Sequence, residues 1–280
     1  MPPTLEIATF TPSFALHALA SGASRIELCS HRNEDGLTPS IQEFLEVKRG
    51  VASLRLEESD DYDDTKNDDT PETLDARKEN KKNIKSKINI MIRPHDNSHP
   101  GAGANEDFRV GNEVFEKMKE EIRIFRGEGA QGFVFGILMD DHEGGSVEEF
   151  GDGDGDGNGD GKGRLVVDKE RCAELIKIAR EGEDGEKLIS LNFTALLTSG
   201  GAPCALDGIP QIAGLVQQAA GRIDVIVGGG VRSRNVRKLV KMTGAGWFHS
   251  SAANGDGEEV SGDEVRRLRY ILDSWEMLRD

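Results

Sequence analysis

A chain of 280 residues carrying 35 basic and 51 acidic side chains, for a net charge of −16, is long enough for one large α/β domain. The acid excess is confined to two segments: residues 57–79 hold 11 acids against 3 bases and residues 139–163 hold 9 against 1, so the rest of the chain is neutral and a nucleic-acid partner is not expected. The opening MPPTLEIATF has neither the basic region nor the apolar run of a secretory signal, no stretch approaches about 18 apolar residues, and Cys29, Cys172 and Cys204 have no CxxC spacing, so a cytoplasmic chain with reduced thiols and no membrane span is expected.

Taken in order, the apolar-alternating runs 5–9, 25–30, 88–94, 132–138, 187–193, 195–200, 224–230 and 247–252 predict strands. Helical patterns lie between most of them, over 12–21, 40–50, 112–127, 168–181, 209–220 and 234–242. The first two units repeat one design, LEIAT then TPS at 11–13 and RIELCS then TPS at 38–40, which aligns Glu6 with Glu27 and Ala8 with Cys29. In the second unit Thr38 is the expected N-cap and Pro39 the first helical residue. A last helix opens with Ser261-x-x-Glu264, a capping box, and carries a 3.6-period stripe of Val265, Leu268, Ile271, Leu272, Trp275 and Leu278. Alternating strand and helix over the whole chain predicts a single domain, 1–280, a parallel (β/α) barrel with its sites at the carboxyl ends of the strands.

Two segments fall outside that pattern. Residues 57–80 are acidic and poor in apolar side chains, and 139–163 contain GDGDGDGNGDGKG; both are expected as disordered insertions. The Asp-Gly alternation invites an EF-hand reading, but registers beginning at Asp152, Asp154 and Asp156 place Gly163, Leu165 and Val167 where a bidentate Glu is required. A further irregularity lies at Thr194, which alone separates the runs 187–193 and 195–200. Neighbouring parallel strands need a crossover of about a dozen residues, so the two runs either merge or one is not a strand, and the barrel is expected to be incomplete by about one βα unit near residue 194.

Period two sorts the candidates by face. Leu5, Ile7, Ile26, Leu28, Ile88, Ile90 and Ile92 are expected beneath the helices, and Glu6, Glu27, Cys29, Met91 and Arg93 inside the barrel. A buried carboxylate there needs a cation or a proton, so Glu6, Glu27 and Arg93 are expected to pair. The set reads either as a structural ion-pair network or as chemistry, with Glu27 or Glu6 an acid or base and Arg93 an anion clamp, while His249 reads as a base, a ligand or a satisfied core residue. Cys29 reads as a small core hydrophobe or as a soft ligand for Cu(I). The small residues ending the late strands, Ser199 and Gly200, Gly228, Gly229 and Gly230, and Ser250, are candidates for binding phosphate or another small anion.

RIELCS, GLTPS at 36–40, IRP at 92–94, GFVFG at 132–136, LLTSGG at 196–201, GGG at 228–230 and FHSSA at 248–252 together resemble the CutC copper-homeostasis family, in order from Leu5 to Ala252. The resemblance implies a cytosolic barrel of the triosephosphate-isomerase type, a role in copper handling with Cu(I) bound through cysteine, and a homo-oligomer. Three departures stand out. Ala8 replaces a cysteine that many members carry, 95–108 expand a compact loop of which Asp107 and Phe108 are the remnant, and a strand reading TFHRAFD with its helix is missing at the Thr194 joint. Beside copper handling, two alternatives remain: a barrel enzyme acting on a small phosphorylated or carboxylated metabolite, and a degenerate member without catalysis.

Overall fold

Strand β1, Thr4–Thr9, leads into helix α1, Pro12–Ala20, through a joint that its residues dictate: Thr11 Oγ1 accepts from the Phe14 amide at 3.3 Å and proline occupies the first turn. The computed structural model describes residues 2–60, 88–94, 108–140, 165–180, 193–253 and 259–274.

The second unit departs from its expected start. After β2, Arg25–Leu28, and a 3-10 turn at Arg32–Glu34, helix α2 spans Ile41–Asp60. Its cap is Ser40, whose Oγ accepts from the Glu43 amide at 3.2 Å while Glu43 Oε2 accepts from the Ser40 amide at 2.7 Å, a reciprocal box. Thr38 is diverted elsewhere. Its hydroxyl accepts from the Arg93 amide at 2.9 Å and donates to Glu121 at 2.8 Å, tying the loop to the next strand and the next helix. The helix also runs past residue 57, where the first acidic insertion was expected to begin. Residues 61–87 lie outside the described set, as do 141–164 of the second insertion.

Strand β3 is Ile88–Met91, helix α3 is Asn112–Gly127 and strand β4 is Gly132–Val134. The single strand expected over 132–138 divides at this point. Strand β5, Leu138–Asp140, leaves the main sheet and pairs antiparallel with β6, Leu165–Val167, a strand the sequence pattern did not suggest. Helix α4, Lys169–Ala179, begins at Asp168, whose carboxylate accepts from the Arg171 amide at 3.0 Å. The rest alternates regularly as β7, Ala195–Thr198, α5, Ile209–Ala219, β8, Asp224–Val227, α6, Ser233–Thr243, β9, Trp247–Ser250, and α7, Gly262–Asp273. The strand expected at 187–193 lies outside the described residues except for Phe193.

Ser261 caps α7 as predicted, accepting from the Glu264 amide at 3.3 Å, but Glu264 does not complete the box. Its carboxylate instead accepts from the Ser233 amide at 2.6 Å and the Ser233 hydroxyl at 2.8 Å, capping the neighbouring helix α6. Val265, Leu268 and Leu272 of the predicted stripe are fully buried.

Seven strands form one parallel sheet in the order β4-β3-β2-β1-β9-β8-β7, with helices on its outer face. The sheet is curled. Strands β9 and β2 are separated by β1, yet His249 Nε2 comes within 3.4 Å of Glu27 Oε2 across the concave face. This is an incomplete barrel of the TIM type, opening between β4 and β7. Phe135, just after β4, and Phe193, just before β7, meet across the opening with ring centroids 5.7 Å apart. Leu5, Ile7, Ile26, Leu28, Ile90 and Ile92 bury completely or nearly so beneath the helices, on the face that strand period assigned to them.

Candidate functional site

The middle three strands set the concave face by register. Glu6 stands level with Arg25 on one side and His249 on the other, and Glu27 stands level with Ala8 and Asn89. Five polar side chains thus meet in two adjacent layers. Arg25 Nε donates to Glu6 Oε2, Asn89 Nδ2 donates to the same oxygen at 3.1 Å, and His249 Nδ1 lies 2.9 Å from Glu6 Oε1. The Arg25 guanidinium also lies over the Trp247 ring, 4.1 Å from its centroid. Glu6 is therefore saturated.

Glu27 is not. It is 2% exposed, its Oε2 is 3.4 Å from His249 Nε2 without a hydrogen bond, and its Oε1 has no partner among the described residues. Burial raises the Glu27 pKa, the charge of His249 pulls the other way, and the charge of Glu6 adds to the rise. For Glu6, burial is outweighed by the hydrogen bond and charge of His249 and the charge of Arg25, so its pKa is lowered. Burial likewise disfavours charge on His249, but the Glu6 hydrogen bond and the charges of Glu27 and Glu6 outweigh it and the pKa is raised. The arrangement keeps Glu6 ionised and sets Glu27 against the imidazole with one carboxylate oxygen unsatisfied among the described residues.

Cys29 follows at the carboxyl end of β2, 2% exposed, with its Sγ 4.0 Å from the Glu27 carbonyl oxygen. The loop after β2 folds over it. Gly36, at φ +94°, sits where a side chain would meet the sulfur at 3.4 Å. Burial pushes the Cys29 thiol pKa well up, the charges of Glu27 and Glu6 add to that, and Arg93 opposes it. Arg93 itself differs from expectation as the partner of the two glutamates. Its Nη1 donates to the carbonyls of Glu34 at 3.1 Å and Gly36 at 3.3 Å, and its guanidinium lies over Phe108, so it straps down the loop that covers Cys29. Arg25 supplies the cation that Glu6 was expected to take from Arg93.

The candidate anion residues cluster at the ends of β7, β8 and β9. A Cβ on Gly229 would meet Ser199, and one on Gly228 would meet Leu197 and approach His249. Many of their polar groups serve the rim itself. The Gly200 amide donates to Thr198 Oγ1 at 2.9 Å, Ser199 Oγ to the Ala202 carbonyl at 2.7 Å, the Gly228 amide to the Thr198 carbonyl at 2.9 Å, and Asn235 Nδ2 to the Gly230 carbonyl at 2.9 Å. Ser250 Oγ donates to the Val231 carbonyl at 2.7 Å and accepts from the Ala252 amide and from Arg232 Nη1, both at 3.0 Å. Cys204 joins this rim beside Gly229 and Gly230, with its Sγ 3.1 Å from Asp207 Oδ2. Cys172 is buried in α4.

Arg25, Asn89 and Arg232 were not anticipated. The first two carried a usable signal, since Arg25 shares strand parity with Glu27 and Asn89 with Met91 and Arg93. Arg232 follows the GGG run one residue on, after Val231, and nothing in its spacing marks it.

No helix among the described residues is long and apolar enough to cross a membrane. The CutC family profile matches residues 176–254. The chain is 32% identical over 247 residues to a family protein CutC of Porphyromonas gingivalis, covering 88% of this chain and 79% of that one. It is 29% identical over 263 residues to the copper homeostasis protein cutC homolog of Homo sapiens, covering 89% and 72%. A crystal structure of a CutC protein from Streptococcus agalactiae superposes with a TM-score of 0.57 over 89% of this chain and 98% of that chain, at 19% identity, which speaks for the fold. With its incomplete parallel barrel, its motifs in order and these relatives along most of its length, the chain belongs to the CutC family.

Proposed function

We propose that this chain serves copper homeostasis in the cytoplasm, taking Cu(I) as cargo through the Cys29 thiolate at the mouth of the barrel. The observation that carries this reading is the position of Cys29, buried at the carboxyl end of β2 two residues beyond Glu27. The carboxylates that resist a bare thiolate there also favour a cation bound to it, so metal uptake and loss of the thiol proton are coupled. The copper in the names of its relatives supports the same reading. A homo-oligomer is part of the proposal and is read by light scattering. Anaerobic titration with Cu(I) against a competing chelator tests the site: Cys29→Ala is expected to lose the tight equivalent and Cys204→Ala to keep it. Equal affinity in wild type and Cys29→Ala overturns the assignment.

One observation favours a second reading, an enzyme acting on a small phosphorylated or carboxylated metabolite. The unpaired carboxylate oxygen of Glu27, buried beside His249, is suited to exchange a proton with a ligand in the barrel. In this reading Glu27 is the acid or base, Glu6 and His249 hold its charge balance, Arg93 clamps an anion, and Ser199, Gly200, Gly228 to Gly230 and Ser250 shape the anion's berth. A thermal-shift screen of sugar phosphates and carboxylates against wild type and Arg93→Ala tests it. Stabilisation that depends on Arg93 supports it, and none overturns it.

A further inference from the structure

We infer that Glu27 and His249, braced by Glu6, form a binding site for one borderline divalent cation, of the class of Zn²⁺ or Mn²⁺, on the concave face of the sheet. The inference is independent of the copper reading, because it does not use Cys29, and it shares Glu27 and His249 with the enzyme reading.

The argument begins with the imidazole. Glu6 is held on three sides, by Arg25, Asn89 and His249, and its Oε1 faces His249 Nδ1 at 2.9 Å. In the neutral ring that hydrogen bond places the proton on Nδ1 and leaves the Nε2 lone pair directed away from Glu6. Nε2 meets another acceptor, Glu27 Oε2, at 3.4 Å. The second Glu27 oxygen is buried with no partner among the described residues. With the ring neutral, two acceptors are turned toward one another in a buried place, and a proton or a metal ion between them relieves the conflict.

A proton is a poor fit to that gap. A charge-assisted N–H···O bond closes to about 2.7–2.9 Å, and this pair stands well beyond that. A metal fits it. Ligands bound at about 2.0–2.1 Å in tetrahedral geometry lie about 3.3–3.4 Å apart along each edge, which matches the observed separation. One ligand atom from each of Glu6, Glu27 and His249 lies within 4.8 Å of the others.

In this arrangement His249 Nε2 and the Glu27 carboxylate bind the ion directly. Glu6 orients the imidazole from behind and raises its basicity, as a carboxylate does in a carboxylate–histidine–metal chain. The remaining positions are left to water or a ligand. Carboxylate and imidazole select harder and borderline ions and disfavour Cu(I), so this site and a Cys29 copper site have different metal preferences.

Calorimetric titration of the chelator-treated full-length chain with Zn²⁺ and with Mn²⁺, together with X-ray absorption at the zinc edge, tests the inference. One equivalent is expected, with an imidazole and oxygen shell free of sulfur. Affinity should fall at least ten-fold in Glu27→Gln and in His249→Gln and stay unchanged in Cys29→Ser. The two copper and zinc outcomes separate cleanly, since Cys29→Ser that loses Cu(I) but keeps Zn²⁺ leaves this site standing whatever happens to the copper reading. Absence of stoichiometric binding, sulfur in the shell, or full affinity in a folded Glu27→Gln overturns it. Should either variant fail to fold, the wild-type absorption spectrum decides, because a shell lacking imidazole overturns the assignment as well.

Discussion

The carboxamide of Asn89 occupies the place of a side chain on residue 132. The two residues stand opposite one another in β3 and β4, and a Cβ built on Gly132 would fall 2.0 Å from Asn89 Oδ1. Glycine at this point is thus what lets Asn89 reach Glu6. Gly132→Ala is expected to push the amide out of line, cost about 1–3 kcal/mol of stability through overpacking, and loosen Glu6. Urea denaturation measures the first effect, and the pH titration of the His249 ring by NMR measures the second.

Glu121 gives a pH-dependent prediction. Burial raises its pKa, with the hydrogen bond from Thr38 opposing the rise. The folded chain therefore holds this proton to a higher pH than the unfolded chain does, and stability falls as pH rises from the ordinary carboxylate value through the raised one. Glu121→Gln keeps an acceptor for Thr38 and removes the half-buried charge. Its urea midpoint is expected to exceed that of wild type at pH 7, with the difference shrinking toward pH 4. An equal gap at both values contradicts the account.

Glu264 links two helices rather than capping its own. Glu264→Ala removes two hydrogen bonds at the start of α6 and is expected to cost about 1–2 kcal/mol, whereas Ser261→Ala removes one cap bond and costs about 1 kcal/mol or less. Hydrogen exchange of the first-turn amides of α6 should accelerate in the first variant and not in the second.

The opening between β4 and β7 leaves strand edges that no described strand covers, and Leu196 and Leu197 on β7 are 43% and 39% exposed. Such an edge templates pairing with another chain. Leu196→Lys is expected to slow concentration-dependent aggregation at 37 °C severalfold while leaving circular dichroism unchanged, as followed by light scattering. The same opening predicts a lower thermal midpoint than that of a relative with a complete ring.

Much of this fold was legible because parallel strands buried on the helix side advertise themselves. Leu5, Ile7, Ile26, Leu28 and Ile90 follow period two without exception, and the Thr11-Pro12 and Ser261 helix starts follow from local hydrogen bonding. What escaped were long-range competitions for a side chain. Thr38 has the composition of a cap but is drawn to Arg93 and Glu121, and Glu264 has the spacing of a capping box but is drawn to Ser233. Of the site, strand parity marks Glu6 and Glu27, His249 stands out only by its place at the end of the last strand, and the three are neighbours. Their arginine was misassigned because register, which sets Glu6 beside Arg25, depends on how adjacent strands slide and is not written in either strand alone.

The pairing of β1 with β9 sets a schedule for biosynthesis. The central strand leaves the ribosome first, yet its neighbour on one side is made almost last, and the hydrogen bond between Glu6 and His249 closes a loop of 243 residues. A nascent chain therefore carries its inner acids without their imidazole through most of translation, and a product cut short before Trp247 would lack it altogether. Quality control that senses unmet polar groups would see every such fragment as unfinished.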